Sequence, residues 1–413
     1  MSSEANELGK YGLPLEVRFC KKCTMSNQRP SSSVEFKNIK GEKKRPLTLD
    51  DHGICDACNF SEKKKLIDWA GRDDMLRDLC DRFRRSDGRY DVVVPGSGGK
   101  DSVMAAYLLK YEYGMNPILV TWPPAIYTDI GSYNFNRWLE TGFANYTYHQ
   151  NRRVHRILTQ QAYLNLCHPF QPFILGQKNL APKMSVLLDI PLVIFGENEA
   201  EYGNAIADNE KPTRDPKYYS ADGRLEDLFL GGVSARELME RYKFTIADLE
   251  AYLPIDPNKI EKVGTEVHYL GYYRRWHPQE TYYFSVENSG FVPNWHRTEG
   301  SYSKYSSLDD KIDWLHYYTA HVKFGLGRAT YDSAQEIRNG DITRDEAIAL
   351  IRRYDGEYPH QYLKSCLDYM DITEQQFHDV IDEARTPHLW KLVGGDWKLK
   401  QPIWETTQIW KAV

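Results

Sequence analysis

The sequence predicts an α/β protein in three parts: a small cysteine-rich ribbon, a parallel-sheet domain and a helical C-terminal region. Four of the seven cysteines form two Cys-x-x-Cys pairs within residues 20–58. Short β-branched runs alternate with helical patterns between residues 90 and 273, and strand signals vanish from about residue 308 onward. We therefore expect the ribbon and the start of a linker helix in residues 1–70, the sheet domain in 71–300 with an insertion near 204–257, and a helical substrate or partner domain in 301–413.

Composition narrows the class of protein. The chain has 413 residues, of which 41% are hydrophobic and 27% charged, so it can bury a substantial core without disulfides. It has no apolar run near the roughly 18 residues of a membrane span, and residues 1–19 carry charges without the apolar core of a secretory signal. The net charge of −5 argues against a large sequence-independent nucleic-acid surface. We expect a soluble, cytoplasmic protein that neither inserts into membranes nor binds nucleic acid.

The ribbon prediction depends on Cys20, Cys23, Cys55 and Cys58. Two such pairs, 31 residues apart, can close a tetrahedral four-sulfur zinc site with Zn–S bonds of about 2.3 Å. In a reducing compartment this pattern favours metal binding over disulfides, with a redox pair or an iron–sulfur centre as alternatives. Because four sulfurs saturate zinc, the metal is expected to be structural and to take no part in chemistry.

The predicted elements follow in chain order. A helical pattern over residues 60–84 links the ribbon to the sheet domain. Strands are predicted at 91–94, 117–121, 144–148, 191–195 and 267–273. Helices between them are predicted at 102–111, 132–140, 152–166 and 178–188. The C-terminal region has helical patterns at 308–324, 343–354, 359–369 and 373–384, and capping boxes at Thr343 and Thr373 open two of these helices.

A glycine-rich turn follows the first predicted strand and precedes a helix. It consists of Gly96, Ser97, Gly98, Gly99, Lys100, Asp101 and Ser102. Glycines let backbone N–H groups approach phosphate oxygens, the helix dipole favours anions, and Lys100 adds a positive charge. The turn is not a Walker A loop, because Val94 stands at the first glycine position and Asp101 follows the lysine. Nor is it a Rossmann loop, because Asp101 occupies the third glycine position.

The motif SGGKDS in this strand–turn–helix setting resembles the PP-loop of the ATP pyrophosphatases, which include asparagine and GMP synthetases and tRNA-modifying adenylating enzymes. The resemblance implies an adenine nucleotide alpha hydrolase-like fold, in which residues 96–102 hold the pyrophosphate of ATP while AMP is transferred. It implies catalytic roles for Lys100 and Asp101. It also implies ATP contacts at Thr121 and Trp122, which end the second strand, and at Gly196, which follows the fourth.

Glu197 lies in an acidic segment, GENEAE at 196–201, directly after the fourth predicted strand. The carboxyl edge of a parallel sheet is where ligands bind in open α/β folds. Glu197 and Asp101 are therefore candidates for holding Mg²⁺, which bridges phosphates and neutralises their charge. A solvated acidic turn is the alternative interpretation of Glu197.

Further segments resemble the N-acetyl sugar amidotransferases of bacterial surface-polysaccharide biosynthesis. They are HYLGYY at 268–273, RTEG at 297–300, SSLDD at 306–310 and KFGLGRAT at 323–330. Together with the ribbon and the PP-loop, the resemblance extends over residues 20–390. It implies an ATP-dependent enzyme that converts an acetamido group on a nucleotide-activated sugar into an acetamidino group, in O-antigen, lipopolysaccharide or related glycan biosynthesis.

This chemistry needs a source of ammonia. Cys80, Cys167 and Cys366 lie in no glycine-flanked nucleophile elbow, and no cysteine stands at position 2. The chain therefore shows no glutaminase of its own. The resemblance implies a separate glutaminase subunit that supplies ammonia, and a cyclase-like barrel protein is a further candidate partner.

Arg328, close to Gly325 and Gly327, is predicted to be a catalytic residue that contacts a phosphate or the carboxylate of the sugar. The other candidates for the same pocket are Arg297, Glu299, Asp309 and Asp310. For each of them a surface ion pair or a helix cap is an alternative, because Asp309 and Asp310 also fit the first turn of a helix.

Two other functions share part of this pattern. A tRNA-thiolating PP-loop enzyme would need catalytic or cluster-binding cysteines after the loop, whereas Cys167 and Cys366 have no paired companion. A scaffold that binds zinc and nucleotide only to recruit a glutaminase has no need of the intact Lys100 and Asp101. Release of AMP and pyrophosphate with RNA, or with an acetamido sugar nucleotide, distinguishes the three.

Overall fold

The computed structural model describes residues 8–197, 211–224 and 227–410. Its strands are β1 Val92–Pro95, β2 Pro117–Thr121, β3 Asn145–Thr147, β4 Leu192–Phe195, β5 Phe229–Leu230, β6 Val233–Ser234, β7 Glu266–Tyr269, β8 Trp390–Val393 and β9 Asp396–Leu399. Five of them form a parallel sheet in the order β3-β2-β1-β4-β7. All five predicted strands are therefore confirmed, and so is the parallel sheet.

Seventeen named helices accompany the strands in the described part of the chain. The first nine are α1 Asp56–Lys64, α2 Trp69–Phe83, α3 Lys100–Tyr107, α4 Asp129–Leu139, α5 Arg152–Leu166, α6 Gln171–Leu188, α7 Ala235–Tyr242, α8 Ile246–Leu249 and α9 Pro257–Val263. The others are α10 Leu270–Tyr273, α11 Pro278–Ser289, α12 Lys311–Phe324, α13 Arg328–Asn339, α14 Arg344–Tyr354, α15 Leu363–Met370, α16 Glu374–Ala384 and α17 Ile403–Trp410. Among the described helices, none combines the length and the hydropathy that crossing a lipid bilayer requires.

The sheet positions a ligand site at the carboxyl end of β1. From β1 the chain builds β2 and β3 to one side, and it then returns to the other side to build β4 and β7. The strand order thus reverses between β1 and β4, and such a switch point opens a crevice outside the carboxyl ends of the strands. The glycine-rich turn leaves β1 at this crevice.

The sheet is buried on both faces, as expected for parallel strands covered by helices. Val93 and Ile118 pack into one apolar layer together with α5 and α6. Val92, Val94 and Leu119 face the opposite layer, which contains side chains of α2, α3 and α4. This alternation along each strand fixes the register, because a shift by one residue would exchange the two layers.

Several predicted boundaries differ from those observed, and three of the differences have an identifiable local form. The linker helix predicted over 60–84 is two helices, because the side chain of Asp68 accepts a hydrogen bond from Gly71 N and caps the start of α2. α6 begins earlier than predicted, with Pro172 in its first turn. The fifth strand ends at Tyr269, and α10 follows as a single helical turn.

The C-terminal region is helical, as predicted, but it contains three elements that the sequence analysis missed: α13, the hairpin of β8 and β9, and α17. Thr343 and Thr373 both form the predicted capping boxes. The helix α13 was not predicted. The prediction that no strand follows residue 308 is wrong, because β8 and β9 pair as an antiparallel hairpin across Gly394 and Gly395, both at positive φ.

The insertion predicted at 204–257 lies partly outside the described residues, since 201–210 and 225–226 are not among them. The described remainder contains the hairpin of β5 and β6 and the helices α7 and α8. The three domain boundaries given above stay predictions. The fold class is confirmed: an α/β parallel sheet with a four-cysteine cluster before it and a helical region after it.

Candidate functional site

The glycine-rich turn joins β1 to α3 and requires glycine for steric reasons. Gly98 has a φ of +85°, and a Cβ there would lie 3.0 Å from the carbonyl oxygen of Asn134. A Cβ at Gly96 would lie 2.2 Å from the Cβ of Ser102. The turn is therefore packed tightly on its protein side, while a Cβ at Gly99 would meet no atom within 4 Å. That open side faces a cavity, as a loop that binds a ligand through its backbone should.

Lys100 and Asp101 begin α3 and interact with each other. Lys100 Nζ lies 2.5 Å from Asp101 Oδ2, and Trp276 Nε1 donates to Asp101 Oδ1 over 2.7 Å. The Lys100 ammonium also lies 5.7 Å from the centre of the Trp276 ring. The lysine side chain is thus held at the N-terminus of the helix, where it adds its charge to that of the free backbone N–H groups.

A cavity of about 170 Å³ lies at the carboxyl ends of β1, β2 and β4. Its polar wall is the turn itself, together with Gly196 and Glu197. Its apolar wall consists of Val120, Trp122, Phe195, Phe173 and Leu180. We call it the nucleotide cavity, after the ligand that the sequence analysis predicts for this turn.

Thr121 and Trp122, the predicted adenine contacts, have different surroundings. Trp122 lines the nucleotide cavity, and its ring stacks on Tyr148 with the centroids 5.5 Å apart. Thr121 does not line it. Its hydroxyl donates to Gly96 O over 2.7 Å and accepts from Asn145 Nδ2 over 2.9 Å, so Thr121 supports the turn from behind.

A larger cavity of about 410 Å³, the reaction cavity, lies on the other side of the turn. The wall that this cavity shares with the turn contains Ser97, Lys100, Asp101 and Glu197. The opposite wall comes from the C-terminal region and contains Asp309, Asp313, Arg328, Asp332 and Glu336. Because the two cavities share Ser97, Gly99, Asp101 and Glu197, a ligand on the turn can reach both.

Asp309 connects the turn to the C-terminal region. Its Oδ2 accepts a hydrogen bond from Ser97 Oγ over 2.8 Å. Burial raises the pKa of Asp309, and the bond from Ser97 opposes that rise. The nearby Asp313 is also buried, and burial raises its pKa to about 6 although Arg328 opposes the shift.

Arg328 is fixed by three neighbours. Its Nε lies 2.9 Å from Asp332 Oδ1, its Nη1 donates to Ser307 Oγ over 2.7 Å, and its guanidinium lies 4.3 Å from the centre of the Tyr317 ring. Asp332 follows Arg328 by four residues on α13, so one helix presents both charges. The arrangement holds a cation at a defined point of the reaction cavity, about opposite the phosphate turn.

Arg297, Glu299 and Asp310 do not line the reaction cavity, in contrast to what the sequence analysis expected. Both terminal nitrogens of Arg297 pair with Glu357 at 2.6 Å. Glu299 accepts from Gln361 N over 3.1 Å. Asp310 accepts from Ala125 N and Ile312 N, both at 2.8 Å, and caps α12. The polar groups of these three residues are therefore already bonded within the protein, as the alternative interpretation of an ion pair or a cap expected.

Several lining residues were missed by the sequence analysis. Asp332 was detectable, since an acid four residues after Arg328 on a helix falls on the same face, but α13 itself was not predicted. Trp276 and Asp313 come from segments without a local motif, and only the fold brings them to the turn. Of the acidic segment after β4, Glu197 lines both cavities, and residues 198–201 lie outside the described residues.

The four predicted cysteine ligands come together. All four residues are buried, and their Sγ atoms lie within 4.8 Å of one another. Cys20 Sγ lies 3.8 Å from Cys58 Sγ, and Cys23 Sγ lies 3.6 Å from Cys55 Sγ. A tetrahedron with bonds of about 2.3 Å has edges of about 3.8 Å. The cluster therefore fits one tetrahedral metal ion. A cubane cluster would hold each sulfur on a different iron and farther apart.

The cysteine cluster packs against α13, which lines the reaction cavity, and against the start of α14. Arg344, at the start of α14, donates from Nε to Cys23 O over 3.1 Å. Thr24 Oγ1 lies 3.5 Å from Thr330 O, and Ala334 packs among the cysteines. Since Thr330 and Ala334 belong to α13, the cysteine cluster supports the helix that carries Arg328 and Asp332.

Comparisons with known proteins bear on the C-terminal region. Residues 299–403 match the family model described as "LPS biosynthesis protein WbpG-like, C-terminal domain". No curated protein matches the chain. Among solved structures, the chain is similar to the U34-tRNA thiolase NcsA from Methanococcus maripaludis with its 4Fe-4S cluster, with 15% sequence identity and a TM-score of 0.29, over 78% of this chain and 86% of that one. This structural likeness is too weak to bear on function.

The family match covers the segment that supplies Asp309, Asp313, Arg328, Asp332 and Glu336 to the reaction cavity. The wall opposite the phosphate turn is therefore the part of the chain that the family model describes. Residues 299–403 are thus similar to the C-terminal domain of WbpG-like LPS biosynthesis proteins, and this match supports the polysaccharide-biosynthesis family that the motifs predicted.

Proposed function

We propose that the protein is an ATP-dependent, AMP-forming amidotransferase of O-antigen, lipopolysaccharide or related glycan biosynthesis, which converts the acetamido group of a nucleotide-activated sugar into an acetamidino group. One observation carries the proposal. A single cavity has a phosphate-binding turn on one wall and the fixed Arg328 with buried carboxylates on the other. Such a cavity can hold ATP and a second, anionic substrate side by side.

The nucleotide cavity supports ATP binding. We assign the β- and γ-phosphates to the backbone N–H groups of residues 97–100 and to Lys100, and the adenine to the slot between Val120, Trp122 and Phe195. Asp101 and Glu197 line both cavities and offer oxygen ligands that Mg²⁺ prefers. When bound there, Mg²⁺ neutralises phosphate charge.

The proposed chemistry follows from the poor reactivity of an amide. The acetamido oxygen attacks the α-phosphorus of ATP, the bond to the bridging oxygen breaks, pyrophosphate leaves, and the amide nitrogen loses its proton. Ammonia then adds to the carbon of the O-adenylyl imidate. The C–O bond breaks, AMP leaves with the original acetamido oxygen, and the acetamidino group remains. Lys100 and the backbone N–H groups stabilise the charge that develops on pyrophosphate.

We assign substrate roles to the opposite wall. Arg328 binds a carboxylate or phosphate of the sugar nucleotide, because its guanidinium is held by Asp332 and Tyr317 and needs no reorganisation. Asp313 accepts the proton that the attacking ammonia loses. Burial raises its pKa to about 6, so it is ionised at neutral pH yet more basic than an exposed carboxylate.

The remaining parts of the proposal concern the metal, the partners and the location. We assign zinc to the cysteine cluster, because a single tetrahedral site of four thiolates is typical of structural zinc. A separate glutaminase subunit supplies ammonia, and a cyclase-like barrel protein is a further proposed partner. The protein works in the cytoplasm, where sugar nucleotides and ATP are available.

The distribution of cysteines favours this function over tRNA thiolation. Within the described ranges, no cysteine lines the nucleotide cavity or the reaction cavity. Burial raises the pKa of Cys167 to about 11, and burial also raises that of Cys366. A thiolase would need a reactive sulfur close to the adenylated atom, whereas these two thiols lie outside both cavities and are protonated at neutral pH.

The test is product analysis with purified protein, ATP, Mg²⁺, ammonium and UDP- or CMP-linked acetamido sugars. We expect AMP and pyrophosphate to form only with the acceptor sugar, and mass spectrometry to find O replaced by NH in that sugar. Release of ADP in place of AMP would refute the proposal. AMP formation that depends on tRNA and not on a sugar nucleotide would support the thiolase.

A further inference from the structure

Two more cavities lie in series between the surface and the reaction cavity. The outer one has a volume of about 130 Å³ and is bordered by Lys10, Tyr11, Glu383 and Ala384. The inner one has a volume of about 220 Å³. The outer and inner cavities share four lining residues: Asn38, Lys44, Cys167 and Lys323. Tyr317 and Tyr331 line both the inner cavity and the reaction cavity.

The inner cavity contains two buried imidazoles without the usual partners. His168 and His316 stack with their ring centroids 4.5 Å apart. In the described part of the chain, Nδ1 of neither ring has a hydrogen-bond partner. Burial lowers the pKa of His316 to about 3 and that of His168 well below its ordinary value, so both rings are neutral. An unpaired buried polar atom is costly unless a small polar molecule bonds to it.

The outer cavity favours neutral molecules over cations. Its lining includes Lys10, Lys40, Lys44 and Lys323, against only two carboxylates, those of Glu42 and Glu383. A positive lining repels ammonium, whereas ammonia carries no charge. Beyond it the neutral histidine pair offers polar ring nitrogens without charge.

Two aromatic rings separate the inner cavity from the reaction cavity. The rings of Tyr317 and Tyr331 meet edge to face with their centroids 6.0 Å apart. Arg328 lies over the Tyr317 ring at 4.3 Å, and Arg29 lies 5.9 Å from the centre of the Tyr331 ring. The inner cavity therefore ends beside the arginine that the proposed function assigns to the second substrate.

We propose that these cavities form a passage that conducts ammonia from the surface near Lys10 and Glu383 to the reaction cavity, with Tyr317 and Tyr331 as its inner gate. The inference rests on the proposed function, in which ammonia is a substrate. Each cavity is large enough for several molecules of the size of water or ammonia. The passage gives ammonia an entrance of its own while the sugar nucleotide and ATP occupy the reaction cavity.

A graded steric series at Ala320 tests the passage. Ala320 is buried on α12 and lines the inner cavity but not the reaction cavity. In Ala320→Ser, Ala320→Leu and Ala320→Phe, with ammonium chloride as the nitrogen source, kcat/KM for ammonia should fall in the order of side-chain size, at least tenfold for Ala320→Phe. The KM for ATP and the acceptor-dependent exchange of pyrophosphate into ATP should stay within twofold.

The two half-reactions separate the possible failures. An unchanged kcat/KM for ammonia in folded Ala320→Phe would overturn the passage while leaving the proposed function intact. Absence of acceptor-dependent pyrophosphate exchange in the unaltered protein would instead refute the proposed function.

A reversible block covers the case in which Ala320→Phe does not fold. Cys167 lines the junction of the outer and inner cavities. Methyl methanethiosulfonate converts its thiol into a methyl disulfide and releases methanesulfinate, and dithiothreitol restores the thiol. We expect treatment to lower kcat/KM for ammonia at least fivefold and dithiothreitol to reverse the loss. In the control variant Cys167→Ala, treated and untreated protein should have the same kcat/KM for ammonia. An equal loss in treated Cys167→Ala, or no loss although mass spectrometry shows modified Cys167, would refute the passage.

Discussion

Replacing Gly196 by alanine tests whether the position of Asp101 controls AMP formation. A Cβ at Gly196 would lie 2.3 Å from the carbonyl oxygen of Asp101 and 2.6 Å from its carbonyl carbon. Ordinary contacts begin at 3.4 Å, so the backbone of Asp101 must move by about 1 Å. Gly196 does not have a positive φ, and the substitution therefore introduces no backbone strain of its own.

A displacement of about 1 Å in a reacting group can cost about 100-fold in rate. We therefore expect Gly196→Ala to lower kcat/KM for acceptor-dependent pyrophosphate release by about 100-fold, which corresponds to about 2.7 kcal/mol of transition-state stabilisation. Metal content should not change, because the cysteine cluster lies in another part of the chain. The displacement should cost about 1–3 kcal/mol of stability, so thermal unfolding is measured to show that the variant is folded in the assay. A coupled pyrophosphate assay with purified protein measures the rate.

Two further glycine variants are compared with Gly196→Ala: one is a control outside the site, and the other lies in the turn. Gly340→Ala introduces alanine at a φ of +87° in open space at the end of α13, so it should cost about 1 kcal/mol of stability without slowing AMP formation. Gly99→Ala meets no protein atom within 4 Å, so it should leave stability unchanged but weaken ATP binding, because its Cβ occupies the space of a phosphate. Normal turnover in both Gly196→Ala and Gly99→Ala would refute the role of the turn.

Three further predictions concern single side chains. Lys100→Ala should lower pyrophosphate release by more than about 100-fold, with thermal unfolding and metal content retained. Cys58→Ser should lose the metal, as measured by elemental analysis, and raise KM for the sugar nucleotide more than KM for ATP. Burial raises the pKa of Glu336 to about 7, so the native state holds the carboxyl proton more tightly than the unfolded state does. The free energy of unfolding should therefore fall as the pH rises from about 4.5 to 7. In denaturant titrations at pH 5 and 8, Glu336→Gln should show a smaller difference in the free energy of unfolding than the unaltered protein.

The sequence was sufficient for the sheet and for the phosphate turn because both are local patterns. Buried β-branched runs must be strands in a parallel sheet, and the turn needs its glycines wherever it occurs. The capping boxes at Thr343 and Thr373 were predictable for the same reason, since each involves residues only three positions apart.

The wall of the reaction cavity could not be predicted to the same degree. Whether Asp309 or its neighbour Asp310 faces the turn depends on how α12 is placed, and the sequence treats the two as equal. Asp309 bonds to Ser97, whereas Asp310 caps α12. Arg297 and Arg328 likewise look alike in sequence, but a carboxylate 60 residues away, that of Glu357, binds Arg297. Tertiary partners of this kind leave no local signal.

The cysteine cluster has no role in the proposed chemistry, but its location connects it to the proposed site of the second substrate. The proposed nucleotide contacts come from the sheet, which is stabilised by its own two apolar layers. The second wall includes α13, which the cysteine cluster contacts through Thr24 and Ala334, while Arg344 of α14 donates to the ribbon at Cys23 O. Loss of the proposed metal should therefore loosen the helix that carries Arg328 while leaving the turn in place. If the proposed function is correct, its two substrates depend on different stabilising elements, and their binding can be weakened separately.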